Sequence, residues 1–268
     1  MSKRKRNDTI YYSDDINVDF QTTKGAKRIK LDENYEFIRK KPLERFFSFI
    51  LYYFIAHPIL ALFCVFKGTT FKNKKNLKEL KNKGYFIYAN HISNMDAIMI
   101  NAFLIWNKRV NILAFSDSLS IPVVKHLVKA LGFIPLGDSI KTQANMMKCF
   151  DYYIKKKQAI LIFPEAHIWP YYTKIRDFPS GSFHYPSKCN APVVPIVSIM
   201  QKRLFKFLKP KIKLVVGKPI YPDPNKSIKE NKEYLHSECL KQMKEISSKY
   251  KQYEYYNYVY KKEEPTSN

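Results

Sequence analysis

The densest run of chemically useful side chains is Asn90-His91-Ile92-Ser93-Asn94-Met95-Asp96. Tyr85-Phe86-Ile87-Tyr88-Ala89 before it reads as a buried strand, so the histidine falls where the chain changes direction. Loops after strand ends are where layered α/β folds place their sites. Ser93 and Asn94 are natural helix caps. A helix starting near Ser93 puts Asp96 in its first turn, from which a carboxylate can reach back to the loop. There it can hold one imidazole nitrogen and leave the other free to accept a proton. That is the base and orienter pairing of hydrolytic triads, without a required serine nucleophile. A capping aspartate beside an unrelated histidine would give the same pattern.

Three further runs stand at predicted strand boundaries. Ile162-Phe163-Pro164-Glu165-Ala166-His167 ends a buried strand in a polar pair, where a carboxylate is more often a structural acceptor than a catalyst. Gly132-Phe133-Ile134-Pro135 and Ala191-Pro192-Val193-Val194-Pro195-Ile196 each read as a turn leading into a strand. The elements that must position them alternate. Helix is expected around Met95–Trp106, Pro122–Leu131 and Thr142–Lys157, and along a last helix carrying Ile228, Leu235, Cys239, Met243 and Ile246. Strands are expected at Val110–Phe115, Ala159–Phe163, Val193–Ile199 and Ile212–Val216. The alternation predicts an α/β layered domain, with a mixed sheet flanked by helices, over residues 76–250.

In order and spacing, the four runs resemble the motifs of the PlsC-like glycerolipid acyltransferases, over roughly residues 45 to 225. His91 and Asp96 match that family's histidine, four residues, aspartate. Gly132–Pro135, Phe163-Pro164-Glu165 and Val193-Val194-Pro195-Ile196 match the other three. Gly181-Ser182-Phe183-His184 and Gly217-Lys218-Pro219-Ile220 are also similar. The resemblance implies direct acyl transfer from acyl-CoA or acyl-carrier protein to the hydroxyl of a lysophospholipid, with lysophosphatidic acid the foremost acceptor and no further cofactor. It makes His91 the general base and Asp96 its orienter, and puts Glu165, Asn90, Phe163, Pro164 and Gly132 on the substrate side. Two positions depart from the pattern. Asp138 and Ile168 stand where family members carry arginines thought to contact the acceptor phosphate, and neither can replace a bidentate cation. Lys174 and Arg176 are the nearby candidates to supply that charge, or are surface charges. A non-catalytic lipid-binding module on the same fold and a thioester hydrolase are the alternatives.

The whole chain suits an interfacial enzyme. Lysine and arginine number 47 against 23 acidic residues among 268, a formal charge of +24. That favours an anionic membrane surface or another polyanion, and no nucleic-acid-binding signature accompanies it. Only 7 glycines are present, with no Walker or dinucleotide run. The four cysteines, Cys64, Cys149, Cys189 and Cys239, form no close pair, and no metal spacing appears. Residues 1–41 read as a polar, basic arm, beginning Lys3-Arg4-Lys5-Arg6. Residues 42–75 hold the apolar stretch Phe46–Phe66 and a connection. Its length suits a span, but His57-Pro58 interrupts it and both flanks are basic. A hairpin dipping into one leaflet is therefore expected, on the cytoplasmic face, with a single span or a buried core hairpin as alternatives. Residues 251–268 form a polar tail rich in tyrosine, to which the sequence assigns no role.

Overall fold

The computed structural model describes residues 5–14, 20, 29–105, 107–120, 122–205 and 208–261. Lys3, Arg4 and Asp15 of the arm, Trp106, and the Val123 and Val124 side chains lie outside this set. In chain order the elements are β1 (Thr9–Tyr12), α1 (Pro42–Phe66), β2 (Thr70–Lys72), β3 (Tyr85–Ala89) and α2, which starts at Asp96–Ile98 and continues through a π-helical turn at Met99–Leu104. Then come β4 (Val110–Ala114), α3 (Pro122–Ala130), β5 (Phe133–Pro135), α4 (Ile140–Lys155), β6 (Ala159–Ile162), α5 (His184–Lys188), β7 (Val193–Gln201), β8 (Lys211–Val216), α6 (Ile228–Ser248) and β9 (Asn257–Tyr260). Seven strands form one sheet in the order β2-β8-β7-β3-β6-β4-β5, parallel except where β7 meets β8. The expected mixed sheet flanked by helices is therefore present. It begins earlier than residue 76, because the short strand β2 joins the edge beside β8.

Alternation along the strands divides the core. Phe86 and Tyr88 of β3 share one face with Ile160, Ile162 and residues of α4 and α6. Tyr85, Ile87 and Ala89 share the other with Leu161, Cys64 of α1 and Met99 of α2. All five residues of β3 are buried, as a central parallel strand requires. Helices α4 and α6 begin with reciprocal capping boxes, Ser139 with Thr142 and Ser227 with Glu230, each satisfying two backbone donors at the helix start. Leu235, Cys239 and Met243, four residues apart, form the buried stripe of α6.

The expected hairpin is corrected. The chain from Pro42 to Phe66 is one continuous helix. The stretch Leu51–Ala56 just before His57-Pro58 is π-helical, and the His57 N–H donates to the Tyr52 carbonyl five residues back. The wider turn takes in a proline that has no donor of its own, so the helix continues past it. One side of α1 is docked on the domain. Tyr52 donates its hydroxyl to Asn101 Oδ1 at 2.5 Å, and His57 Nε2 lies 3.1 Å from the same oxygen. The other side leaves Phe46, Phe47, Phe54, Ile59, Leu62 and Val65 exposed.

The two ends of the chain also differ from expectation. β1 and β9 pair in parallel, Thr9 opposite Asn257 through Tyr12 opposite Tyr260. Residues of the arm nearest α1 belong to the core: Leu31 and Phe37 are buried, and the Ser116 hydroxyl donates to the Ile29 carbonyl at 2.6 Å.

Candidate active site

Parallel strands β3 and β6 end side by side, and the loops leaving them meet. Asn90 is 2% exposed and joins β3 to β7: its Oδ1 accepts the Ser198 N–H at 2.8 Å, and its Nδ2 donates to the Ser198 carbonyl at 3.3 Å. The residue before the histidine is thus fixed inside the sheet, and His91 is the first residue free to leave it.

Asp96 opens α2 and is fully buried. A single oxygen, Oδ2, accepts the Ile92 N–H at 2.7 Å and the Ser93 N–H at 2.8 Å, and lies 3.1 Å from His91 Nδ1. The carboxylate reaches back over the loop as the sequence predicts. An ionised carboxylate can only accept, so this contact puts the proton on Nδ1 and leaves Nε2 as the basic nitrogen. Two backbone N–H groups before the start of α2 hold that oxygen in place. Phe163 stacks on the imidazole, centroids 4.0 Å apart and planes 12° apart, so the ring is held by its flat face as well as by its edge.

The loop after β6 supports that of His91 from behind. Glu165, 5% exposed, accepts the His91 N–H on Oε2 at 3.1 Å and the Arg176 N–H on Oε1 at 3.2 Å. The Arg176 guanidinium, 3.2 Å from Oε2, lies over the Trp169 ring at 4.8 Å. Burial raises the proton affinity of Glu165, against the opposing pull of Arg176 and the two backbone donors. Trp169 and Tyr171 donate their N–H groups to the His91 and Ile92 carbonyls at 3.1 and 3.0 Å. Both sides of the His91-Ile92 backbone are therefore tied to one neighbouring loop.

Trp169 is completely buried, and the chain termini cover it. Tyr258 of β9 stacks on it at 5.4 Å and 8°, and Tyr12 of β1 meets it edge-on at 4.8 Å. The Tyr258 hydroxyl donates to the Pro170 carbonyl at 2.8 Å. Sequence reasoning missed Trp169, Ser198 and the tyrosines of the tail. The one available signal was the tyrosine density after Tyr250, which is unusual for a solvated end.

The other predicted residues are placed as follows. Pro164 is buried in the turn after β6. Arg176 is turned inward on Glu165. Lys174 is exposed and lines a separate cleft with Ser247 and Gln252, apart from His91. Gly132, at φ +100°, sits at the start of β5, the opposite end of the sheet from His91; a Cβ there would lie 3.0 Å from the Val110 carbonyl. It allows β5 to approach β4. Asp138 accepts the Leu31 N–H at 2.9 Å, so this departure from the motif is a docking point for the arm. His167 packs against Phe115, centroids 6.3 Å apart. A cavity of about 480 Å³ opens beside the loop, walled by Phe63, Ile92, Met95, Met99 and Ile212, with Lys67 and Lys209 among its lining residues.

Residues 68–199, which contain the His91 loop and Glu165, match the Acyltransferase family. The fold is similar to that of the 1-acyl-sn-glycerophosphate (LPA) acyltransferase PlsC from Thermotoga maritima, with a TM-score of 0.53 and 18% identity over 78% of this chain and 89% of that one. No curated protein matches the sequence. Residues 68–199 therefore carry a likeness to the Acyltransferase family, and the fold is PlsC-like.

Proposed function

We propose that the protein transfers a fatty acyl group from the thioester of acyl-CoA or acyl-carrier protein to the hydroxyl of a lysophospholipid, with lysophosphatidic acid, giving phosphatidic acid, as the first acceptor to test. The observation that carries this reading is the Asp96 oxygen 3.1 Å from His91 Nδ1, on a residue buried and held by two further backbone donors. His91 Nε2 takes the proton of the acceptor hydroxyl as its oxygen attacks the thioester carbonyl. The carbon–sulfur bond then breaks, and the imidazolium returns the proton to the departing thiolate. Asp96 stabilises the transient imidazolium and fixes the ring. Phe163 and Glu165 position the ring and its backbone, and Asn90 anchors the strand end.

The acceptor's long chain fits the apolar cavity beside the loop. With Arg176 neutralised by Glu165 and Lys174 facing elsewhere, Lys67 and Lys209 are the cations this reading assigns to the acceptor phosphate. Helix α1 would lie along one leaflet. It is docked on the domain near both its ends, through Ser48 and Cys64, so a perpendicular span would drag the domain into hydrocarbon. The exposed phenylalanines would face the acyl chains, with the cytoplasmic side expected.

Thiol release from acyl-CoA and acyl-carrier-protein donors tests the reading, in membrane-reconstituted protein with and without a panel of lysolipids. Release requiring both His91 and one acceptor supports it. Release without an acceptor would make the protein a thioester hydrolase, and no His91-dependent release with any pair would leave the lipid-binding alternative.

A further inference from the structure

A second cavity, of about 510 Å³, lies at the other end of the sheet. Arg109 immediately precedes β4 and Gln158 immediately precedes β6, and both line it. His91 and Glu165 follow the opposite ends of parallel strands in the same sheet, about 15 Å away along strands of four or five residues. The first turns of α1 form its outer wall, through Arg45, Phe46 and Phe49. Arg39, Arg45, Arg109 and Lys156 all line it, and among the described residues no carboxylate does. The nearest acid in sequence, Glu44, pairs outward with Lys41 at 3.6 Å.

Four cations around one hollow repel one another, and their arrangement needs a reason. Part of it is structural. Arg109 donates to the Ser48 hydroxyl at 2.9 Å and to the Ala130 carbonyl at 2.6 Å, and Arg39 donates to the Lys129 carbonyl. Both guanidinium groups thereby cap the C-terminal end of α3, whose dipole offers roughly half a negative charge. That holds the two charges in place without neutralising them. Arg109 Nε is buried with no acceptor. Burial and the nearby Arg39 charge both lower the proton affinity of Arg109, as expected of a cation lacking a counter-charge. Arg45 and Lys156 line the same hollow and add further positive charge. Beside them Phe46 and Phe47 are exposed on α1.

We propose that this cavity binds the phosphate headgroup of an anionic membrane lipid, whose acyl chains lie along the exposed face of α1. It is distinct from the catalytic site by its place at the opposite end of the sheet. With α1 lying in the leaflet, one end of the helix borders the cavity beside His91 and the other end grips a headgroup. Planar guanidinium groups in fixed positions suit phosphate oxygens, and an adjoining apolar helix suits a lipid more than a soluble ester.

The test uses the full chain and vesicle sedimentation, which does not depend on acyl transfer. Phosphatidylcholine vesicles with and without phosphatidic acid would be compared for the wild type and the Arg45→Gln/Lys156→Gln double variant, which spares the capping arginines. A Lys229→Gln/Lys241→Gln double variant on α6 changes the net charge equally at residues that do not line the cavity. Expected is a loss of about tenfold in binding to the acidic vesicles for the cavity variant, under twofold for the control, and no change for either on neutral vesicles. Equal losses in the two double variants would overturn the proposal in favour of diffuse attraction by the +24 charge. Melting curves with inorganic phosphate and with glycerol 3-phosphate separate the sources. Stabilisation of the wild type but not of the cavity variant, without a vesicle-binding difference, would assign the cavity to a soluble phosphate ester and overturn the lipid.

Discussion

The loops that follow β3 and β6 leave the same end of the sheet side by side, yet they treat their polar groups in opposite ways. The His91 side chain keeps 16% of its surface exposed, whereas that of Glu165 keeps 2%. His91 has one ring nitrogen tied to Asp96 and the other left for chemistry. Glu165 has both oxygens engaged by the backbone of His91 and by Arg176. A group that must exchange a proton needs an unsatisfied position, and a group that must hold a backbone still needs none. On the proposed function, the first loop would react and the second would support it. Substitutions in the two should therefore fail differently.

The largest effect belongs to His91. His91→Ala removes the proposed base and should lower kcat by about a thousandfold or more while lowering the melting temperature only modestly, because Asp96 keeps its two backbone donors. Asp96→Asn comes next. The amide keeps the size but offers no charge to hold Nδ1–H or an imidazolium, and kcat should fall by roughly a hundredfold or more with acceptor KM little changed. Steady-state thiol release checks both. An Asp96→Asn enzyme with full kcat would reduce that carboxylate to a helix cap.

In the second loop the loss should be chiefly one of stability. Glu165→Gln removes the carboxylate that faces the buried Arg176 charge, at a cost of about 3 kcal/mol. The variant should also remove a pH dependence. Burial holds the Glu165 carboxyl above its ordinary value of 4.5, so the folded protein keeps this proton to higher pH than the unfolded chain does. Wild-type stability then falls as pH rises from the ordinary value through the raised one, and the glutamine variant lacks that slope. Melting curves for both proteins from about pH 4 upward measure it. Parallel slopes would mean that Arg176 and the backbone donors cancel the effect of burial, and a wild-type stability that rises with pH relative to the variant would mean that they outweigh it.

How much of this could be read in advance follows the range of the interactions. The His91 and Asp96 contact spans five residues and one turn, and strand end, cap and carboxylate spacing were enough to predict it. β3, β4, β6 and β7 were legible because buried parallel strands are short apolar runs. The continuity of α1 was not, since a proline reads as a break unless a π-helical turn precedes it, and no residue type marks such a turn. The role of Asp138 was also hidden, because it depends on the Leu31 backbone 107 residues away. The same holds for the tail. Nothing local tells a tyrosine at 258 that it will meet a tryptophan at 169, and the short strands β1 and β9 have meaning only as a pair.

That pair supplies the smallest of these effects and the finest test of the comparison. The ring of Tyr258 stacks on Trp169, and its hydroxyl holds the Pro170 carbonyl. The backbone N–H of Trp169 in turn holds the carbonyl of His91 at 3.1 Å. Tyr258→Ala removes both contacts, worth about 1–2 kcal/mol together, and loosens the supporting loop by one step without touching the imidazole. If the loop only stabilises, the melting temperature should drop and kcat should hold. If it also aims the base, kcat should fall a few fold with KM unchanged, because small displacements at a reacting centre raise the barrier more than they weaken binding. Tyr258→Phe keeps the stack and loses only the hydroxyl. Recovery of kcat in that variant would trace the effect to the stacked ring, and no recovery would trace it to the Pro170 contact. We expect the ring to dominate, since Trp169 is fully buried beneath it and the hydrogen bond lies near the surface.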